Sequence, residues 1–448
     1  MVDAVRRDPS DYGALMRLGA ALAERGNAAA ARTVYTQAVR AHPHAAAPHA
    51  SLGTLLVDDG EHALALEHFD AALERDPGCR EAHRGIAIVH ERDGRRDDAV
   101  RAWRRGFPRG SLETSAYRGD GTPVRVLYLT SALGGNIPMQ HVLDDRLFEI
   151  TTLIAESAPD DVTLPPHDVV FNAIGDADRC ARALHDAERI RAATVAPVMN
   201  EPAHVVATAR ARNAARLGAL PDVRTARTIP FARRELTAER IAAAGLGWPL
   251  LLRSPGFQTG EHFVRVERPD ALASAAEQLP GESLLAIEYV ESRSDDGAFR
   301  KYRVMAIGGE LYPVHLAIDD AWKVHYFRST MGERADRRDE EAAFLCDARA
   351  VLGDRVHAAL RRVAAELVLD YGGIDFAVLP GGETLVFEAN ATMVLVPPDD
   401  DPRWDGRRAA IARAIDAARA LVLARAGAIR PSTPGARGAR VSGTSPSS

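Results

Sequence analysis

Gly373-Ile374-Asp375-Phe376-Ala377-Val378, followed after Pro380-Gly381-Gly382 by Leu385-Val386-Phe387-Glu388-Ala389-Asn390, is the stretch on which the reading of this chain turns. Two short apolar runs flank a proline–glycine turn, which is the pattern of a β-hairpin. Each strand carries oxygen-bearing side chains: Asp375 on the first, Glu388 and Asn390 on the second. Glu388 and Asn390 are two residues apart, so a strand points both to one face. Two carboxylates and an amide oxygen on such a face suit Mg²⁺, a hard cation that keeps waters and takes phosphate oxygens. The same residues also read as an ordinary hairpin whose charges face water.

The N-terminal third has a different logic, because it repeats. Pro9, Pro43 and Pro77 are spaced by 34 residues. The same step links Leu18, Leu52 and Ile86; Gly19, Gly53 and Ala87; Ala31, Ala65 and Ala99; and Tyr35, Phe69 and Trp103. Small residues let paired helices approach, large ones fill the space between hairpins, and proline closes the second helix. Period and columns resemble the tetratricopeptide repeat. The resemblance implies an all-α solenoid over 1–110, about three repeats, whose concave face binds a peptide or protein partner. A dimerisation or packing module fits the same pattern.

Composition sets outer limits. A chain of 448 residues suggests roughly three domains at about 150 residues each. It is 46% hydrophobic and 26% charged, as a globular protein is, and its net charge of −6 gives no reason to expect nucleic acid. The basic residues are nearly all arginine; lysine occurs only at Lys301 and Lys323. Arginine is therefore expected to stand where relatives use lysine. Cys79, Cys180 and Cys346 are odd in number and far apart, which fits a reducing, cytoplasmic location. Neither an apolar signal core nor a run of about 18 apolar residues is present, so no membrane span is expected.

Between repeats and hairpin, strands alternate with helical stretches. Residues 111–122 read as a linker. Residues 124–129, 148–155, 168–172 and 195–200 read as strands, with a helix after 176, giving a small α/β domain over 123–203. The loop Gly134-Gly135-Asn136 lacks the GxGxxG spacing of a dinucleotide fold. A helix over 203–217 and a strand over 224–231 follow. The strand ending at Arg253 leads into Gly256-Phe257-Gln258-Thr259-Gly260, a loop able to cover phosphates with backbone N–H groups. Further strands end at Glu288-Tyr289-Val290 and span 302–307 and 311–318; a long amphipathic helix covers 338–370. Arg210, Arg212 and Arg216 read as one solvated helix face, although one of them can reach a phosphate. The tail from 426 reads as disordered, rich in Ser, Gly, Pro and Arg.

This order of features resembles an ATP-grasp enzyme over about 123–425, most similar to the glutathione-synthetase and ribosomal-protein glutamate-ligase branch. The resemblance implies an α/β pre-ATP-grasp domain and an α+β ATP-grasp domain over 204–425. It also implies an ATP- and Mg²⁺-dependent ligase that joins a small-molecule carboxylate to an amine through an acylphosphate. Asp375, Glu388 and Asn390 would hold Mg²⁺. Arg253 would lie on the nucleotide phosphates where the family has lysine, and Gly256 and Gly260 would form the flap. Glu288 and Val290 would edge the adenine, and Arg303 would contact the transferring phosphate. Four departures stand beside these matches: arginine at 253, a short flap, Lys301 where relatives carry aspartate, and His315 where they carry arginine. An inactive nucleotide-binding scaffold and an ATP-grasp kinase are the alternative functions.

Overall fold

In the computed structural model the described residues are 2–427, apart from 256, 258–259 and 325–328. After a short helix, Val2–Arg7, come three helix pairs: Tyr12–Glu24 with Ala28–Ala41, Ala46–Asp58 with His62–Arg75, and Arg80–Arg92 with Arg96–Gly106. The expected small–large complementarity is present. Tyr35 lies against Gly19, and the buried Phe69 ring lies against both Gly53 and Gly85, where a Cβ would overlap it. Successive hairpins are also tied by Arg32 to Glu61 at 2.5 Å and His62 to Asp93 at 2.8 Å. The third pair does not end the array in solvent. Trp103 and Phe107 pack with Ile154 of the following region, and Arg182 reaches Glu91 at 3.3 Å.

A five-stranded sheet follows, built from β1 (Glu113–Thr114), β2 (Val124–Thr130), β3 (Phe148–Ile154), β4 (Val169–Asn172) and β5 (Val198–Met199) in the order β1-β3-β2-β4-β5. β2 to β5 are parallel and β1 is antiparallel on the edge. The segment expected as a linker therefore contributes a strand: Ser111 Oγ accepts from Ile154 N at 3.0 Å and anchors it there.

The run expected as one strand over 224–231 divides. β6 (Val223–Thr225) pairs with one sheet and β7 (Thr228–Ala232) with another. β7, β8 (Leu250–Arg253), β9 (Phe263–Val266) and β10 (Ser283–Glu288) form a four-stranded antiparallel sheet, ordered β7-β10-β8-β9, over its own small core. β11 (Phe299–Ile307), β12 (Glu310–Asp319), β13 (Tyr371–Val378) and β14 (Thr384–Asn390) form the last sheet, ordered β12-β11-β13-β14-β6. Two expected helices are also divided, into Pro202–Val206 and Arg210–Leu217, and into Ala335–Cys346 and Ala348–Leu367.

The last sheet shares one hydrophobic core with the first, so the expected boundary near 203 is not a break in packing. Asn200 fastens the two regions. It is fully buried at φ 54°, a left-handed conformation that asparagine tolerates. Its side chain donates to Tyr371 O at 2.8 Å and accepts from Tyr371 N at 2.9 Å, and its backbone N donates to Asp370 at 2.9 Å. No helix among the described residues is long and apolar enough to cross a membrane. The tail expected to be disordered lies outside the described residues from 428 onward.

Candidate functional site

Cross-strand register builds the site. Arg303 on β11 pairs with His315 on β12 and with Asp375 on β13; Asp375 pairs with Glu388 on β14. Four polar side chains thus form one row across four adjacent strands. Two irregularities set that row. On β14 the register shifts beside Asp375, leaving Phe387 as the extra residue. Without that bulge Phe387 would face Asp375; with it, the opposing residue is the carboxylate. On β12, the edge strand, the register shifts beside Arg303, leaving Val314 as the extra residue between His315 and Pro313.

The row is densely charged. Arg303 Nε donates to Asp375 Oδ1 at 2.5 Å and Nη2 to Oδ2 at 2.8 Å, while Lys301 Nζ lies 3.1 Å from Oδ2. Arg210 Nη2 donates to Glu388 Oε1 at 2.6 Å, and Asn390 Nδ2 donates to the same oxygen at 2.8 Å. Burial pushes the Asp375 carboxyl up, but the charges of Arg303 and Lys301 outweigh it and hold the group far below the usual carboxylate range. Glu388 is likewise held down by Arg210 and Arg253 against its desolvation. Burial, then the nearby Arg303 charge, keeps His315 neutral well below the ordinary imidazole value.

Arg253 ends β8, is buried, and donates to the Phe257 carbonyl. Burial and the neighbouring Arg210 lower its guanidinium to about 10. Gly260 adopts φ 74° in the loop between β8 and β9, whereas the other flap residue expected, Gly256, lies outside the described residues. Lys323, on the loop after β12, fastens this hairpin by donating to Phe263 O at 2.9 Å. Glu288 accepts from Arg224 at 2.7 Å and from the Arg227 backbone at 3.1 Å.

These residues meet in one cleft of about 610 Å³. Arg253, Glu288 and Val290 line it from the four-stranded sheet; Arg303, Asp375 and Glu388 line it from the last sheet. Gly135 and Asn136 approach from the first region. Asn390 borders an adjoining cavity of about 70 Å³, together with Asp178, Arg210 and Glu388. Arg210, expected on a solvated face, instead lines both cavities and bonds Glu388, a placement that the sequence pattern under-read. Arg216 instead pairs with Glu366 at 3.6 Å.

Hard oxygen donors of the kind Mg²⁺ takes are present, but their engagement differs. Both Asp375 oxygens are held by cations. Asn390 Oδ1 accepts from Thr392 N at 3.0 Å and from its hydroxyl at 2.8 Å. Glu388 Oε1 is taken by Arg210 and Asn390. Among the described residues no group of three His, Cys, Asp or Glu side chains assembles for a metal. Glu388, with a reoriented Asn390 amide, fits one ion; Asp375 fits only by giving up a cation.

Comparison with known proteins places the N-terminal part firmly: residues 2–46 and 51–109 match the tetratricopeptide repeat family model. Among solved structures, the D-alanine–D-alanine ligase from Bacillus anthracis complexed with ATP is 13% identical, with TM-score 0.44 over 68% of this chain and 98% of that one. The VanG D-Ala:D-Ser ligase from Enterococcus faecalis is 14% identical, with TM-score 0.43 over 67% of this chain and 100% of that one. MamA is 19% identical, with TM-score 0.22 over 24% of this chain and 62% of that one. A search of curated proteins found no match.

Proposed function

We propose that the region after the repeats is an ATP-grasp ligase that binds ATP in the cleft and joins a carboxylate to an amine. The observation that carries this reading is the convergence of Arg210, Arg253, Lys301 and Arg303 on one cleft of an acidic protein. Its walls come from an antiparallel sheet and a mixed one, and a glycine-containing hairpin stands at one side. A polyphosphate needs such a concentration of cations, and a hinge strand such as β10 leading to Val290 offers backbone groups to a base.

In this reading Glu288 and the Val290 backbone edge the adenine. Arg253 lies along the phosphates, and the loop carrying Gly260 covers them. Arg303 takes charge from the phosphoryl group in flight. The substrate carboxylate oxygen bonds to the γ-phosphorus as the bond to the β-bridging oxygen breaks, giving an acylphosphate and ADP. The amine nitrogen then bonds to the acyl carbon, phosphate leaves, and the amine gives up a proton. Glu388 and Asn390 would hold Mg²⁺, which when bound neutralises phosphate oxygens. The repeats recruit a peptide or protein partner.

The test is nucleotide binding to the intact chain, followed by ADP release during a screen of carboxylates and amines. ADP release that requires both substrates supports the ligase. Binding with no turnover favours the scaffold alternative, and absence of nucleotide binding overturns the reading.

A further inference from the structure

Of the 56 lysines and arginines in the chain only Lys301 and Lys323 are lysine, and both line the same cleft. Lys301 precedes Arg303 by two residues on β11, so both side chains share a face. Across the sheet they meet one buried carboxylate, Asp375, which is 2% exposed. Arg303 engages both of its oxygens and Lys301 shares Oδ2. Two cations therefore answer one anion, and the excess positive charge stands at the cleft wall. Arginine spends its planar fork on the bidentate pair. The lysine ammonium spends one of three rotatable donors and keeps the others for a ligand oxygen.

A divalent ion bound by Asp375 would sit against an ammonium and a guanidinium already in contact with that carboxylate. An anion at the same place meets two cations against the one carboxylate they share, with the Glu388 charge answered by Arg210, at a partly desolvated position where charge counts for more than in water.

We propose that Asp375 is the counter-ion that pins Lys301 and Arg303 together as a metal-independent anion subsite, which takes the terminal phosphate of a nucleoside triphosphate. This deepens the nucleotide reading above and rests on it. Lys301 acts here as a binding residue that distinguishes a triphosphate from a diphosphate.

The experiment is calorimetric titration of the intact chain with ATP and with ADP, in EDTA and then with added Mg²⁺. ATP is expected to bind in EDTA at least tenfold more tightly than ADP. Lys301→Gln is expected to abolish that preference while leaving ADP affinity within about twofold, and Lys301→Arg to retain part of it. ATP binding that appears only with Mg²⁺, or an unchanged preference in Lys301→Gln, overturns the subsite and leaves the nucleotide reading intact. Failure of either nucleotide to bind under both conditions overturns the two together. Should Lys301→Gln fail to fold, acetylation of the unmodified chain with peptide mass spectrometry reads the same point. Lys301 is expected to be protected by ATP and not by ADP, and equal protection overturns the subsite.

Discussion

Arg210 Nη2 lies 2.6 Å from Glu388 Oε1, joining residues 178 apart in sequence. Only about a fifth of either side chain is exposed, so the pair is partly withdrawn from water. Arg210 is held from its other end as well, its backbone N donating to Asp178 at 3.1 Å. The helix Arg210–Leu217 thus carries a guanidinium to the end of β14, where Arg253 also contributes charge. Replacing Arg210 by Gln removes the closest cation from Glu388. Nucleotide affinity is expected to fall about tenfold and stability by about 1–3 kcal/mol. A double-mutant cycle with Glu388→Gln, read by denaturant unfolding, is expected to return a coupling near 1 kcal/mol, and strictly additive losses would contradict the pairing.

Asn200 makes a second kind of prediction. Its side chain satisfies both backbone groups of Tyr371, itself almost fully buried. Asn200→Ala leaves a buried N–H and a buried C=O without those partners, at about 1–3 kcal/mol each. Asn200→Gly relieves the positive φ yet loses the same two bonds. Both variants are expected to unfold at clearly lower urea, with Gly close to Ala. Recovery of parental stability by Gly would show that backbone conformation, and not the side-chain bonds, is what matters there.

The repeats are testable on their own packing. A Cβ at Gly85 would lie 2.0 Å from the Phe69 ring, with Gly53 already crowding the same ring. Ala normally gains about 1 kcal/mol over Gly in a helix. Here overpacking outweighs that gain, and Gly85→Ala is expected to destabilise by about 1–3 kcal/mol. Adding Phe69→Leu is expected to return part of the loss. The measurement is thermal unfolding followed by helical circular dichroism.

Glu156 gives a pH dependence. It is buried among Ser131 and Ala132, accepting from the Ser131 hydroxyl at 2.6 Å, and desolvation pushes its carboxyl up to about 7. The native state therefore holds a proton that the unfolded chain releases near the ordinary glutamate value. This contribution is fully present below that value and is lost as pH rises through about 7. Between pH 5 and 8 the loss is about 2 kcal/mol. Glu156→Gln, neutral throughout, is expected to flatten this slope and to unfold at higher denaturant than the parent at pH 8. Parallel pH profiles for the two proteins would contradict a protonated Glu156.

What could be read from the residues was local. Asp375 and Glu388 belong to one hairpin, so alternation and a turn were enough to bring them together. The 34-residue step is likewise internal to its own segment. What escaped depended on distant pairing. Nothing near Asp375 reveals that Arg303 and Lys301, over 70 residues earlier, occupy both of its oxygens; that follows only when β11 pairs with β13. Arg210 was hidden for a related reason. A charged helix face has the same periodicity whether it meets solvent or a cleft. The division of 223–232 into β6 and β7 escaped because no glycine or proline marks the point where the chain changes sheets.

Glu388 provides the sharpest test of the metal assignment. Its Oε1 is committed to Arg210 and Asn390, while Oε2 accepts no hydrogen bond among the described residues. Glu388→Gln keeps the shape and an acceptor but removes the charge that a divalent ion requires. The gain in ATP affinity on adding Mg²⁺ is expected to shrink at least tenfold, while affinity in EDTA is kept or raised by the lost negative charge. Asp375→Asn is expected to differ. It frees Lys301 and Arg303 from their shared counter-ion and lowers stability by several kcal/mol, because buried cations lose their partner. If the two variants instead lose the Mg²⁺-dependent gain equally and keep parental stability, both carboxylates are metal ligands and the ion pairs at Asp375 open when the metal binds.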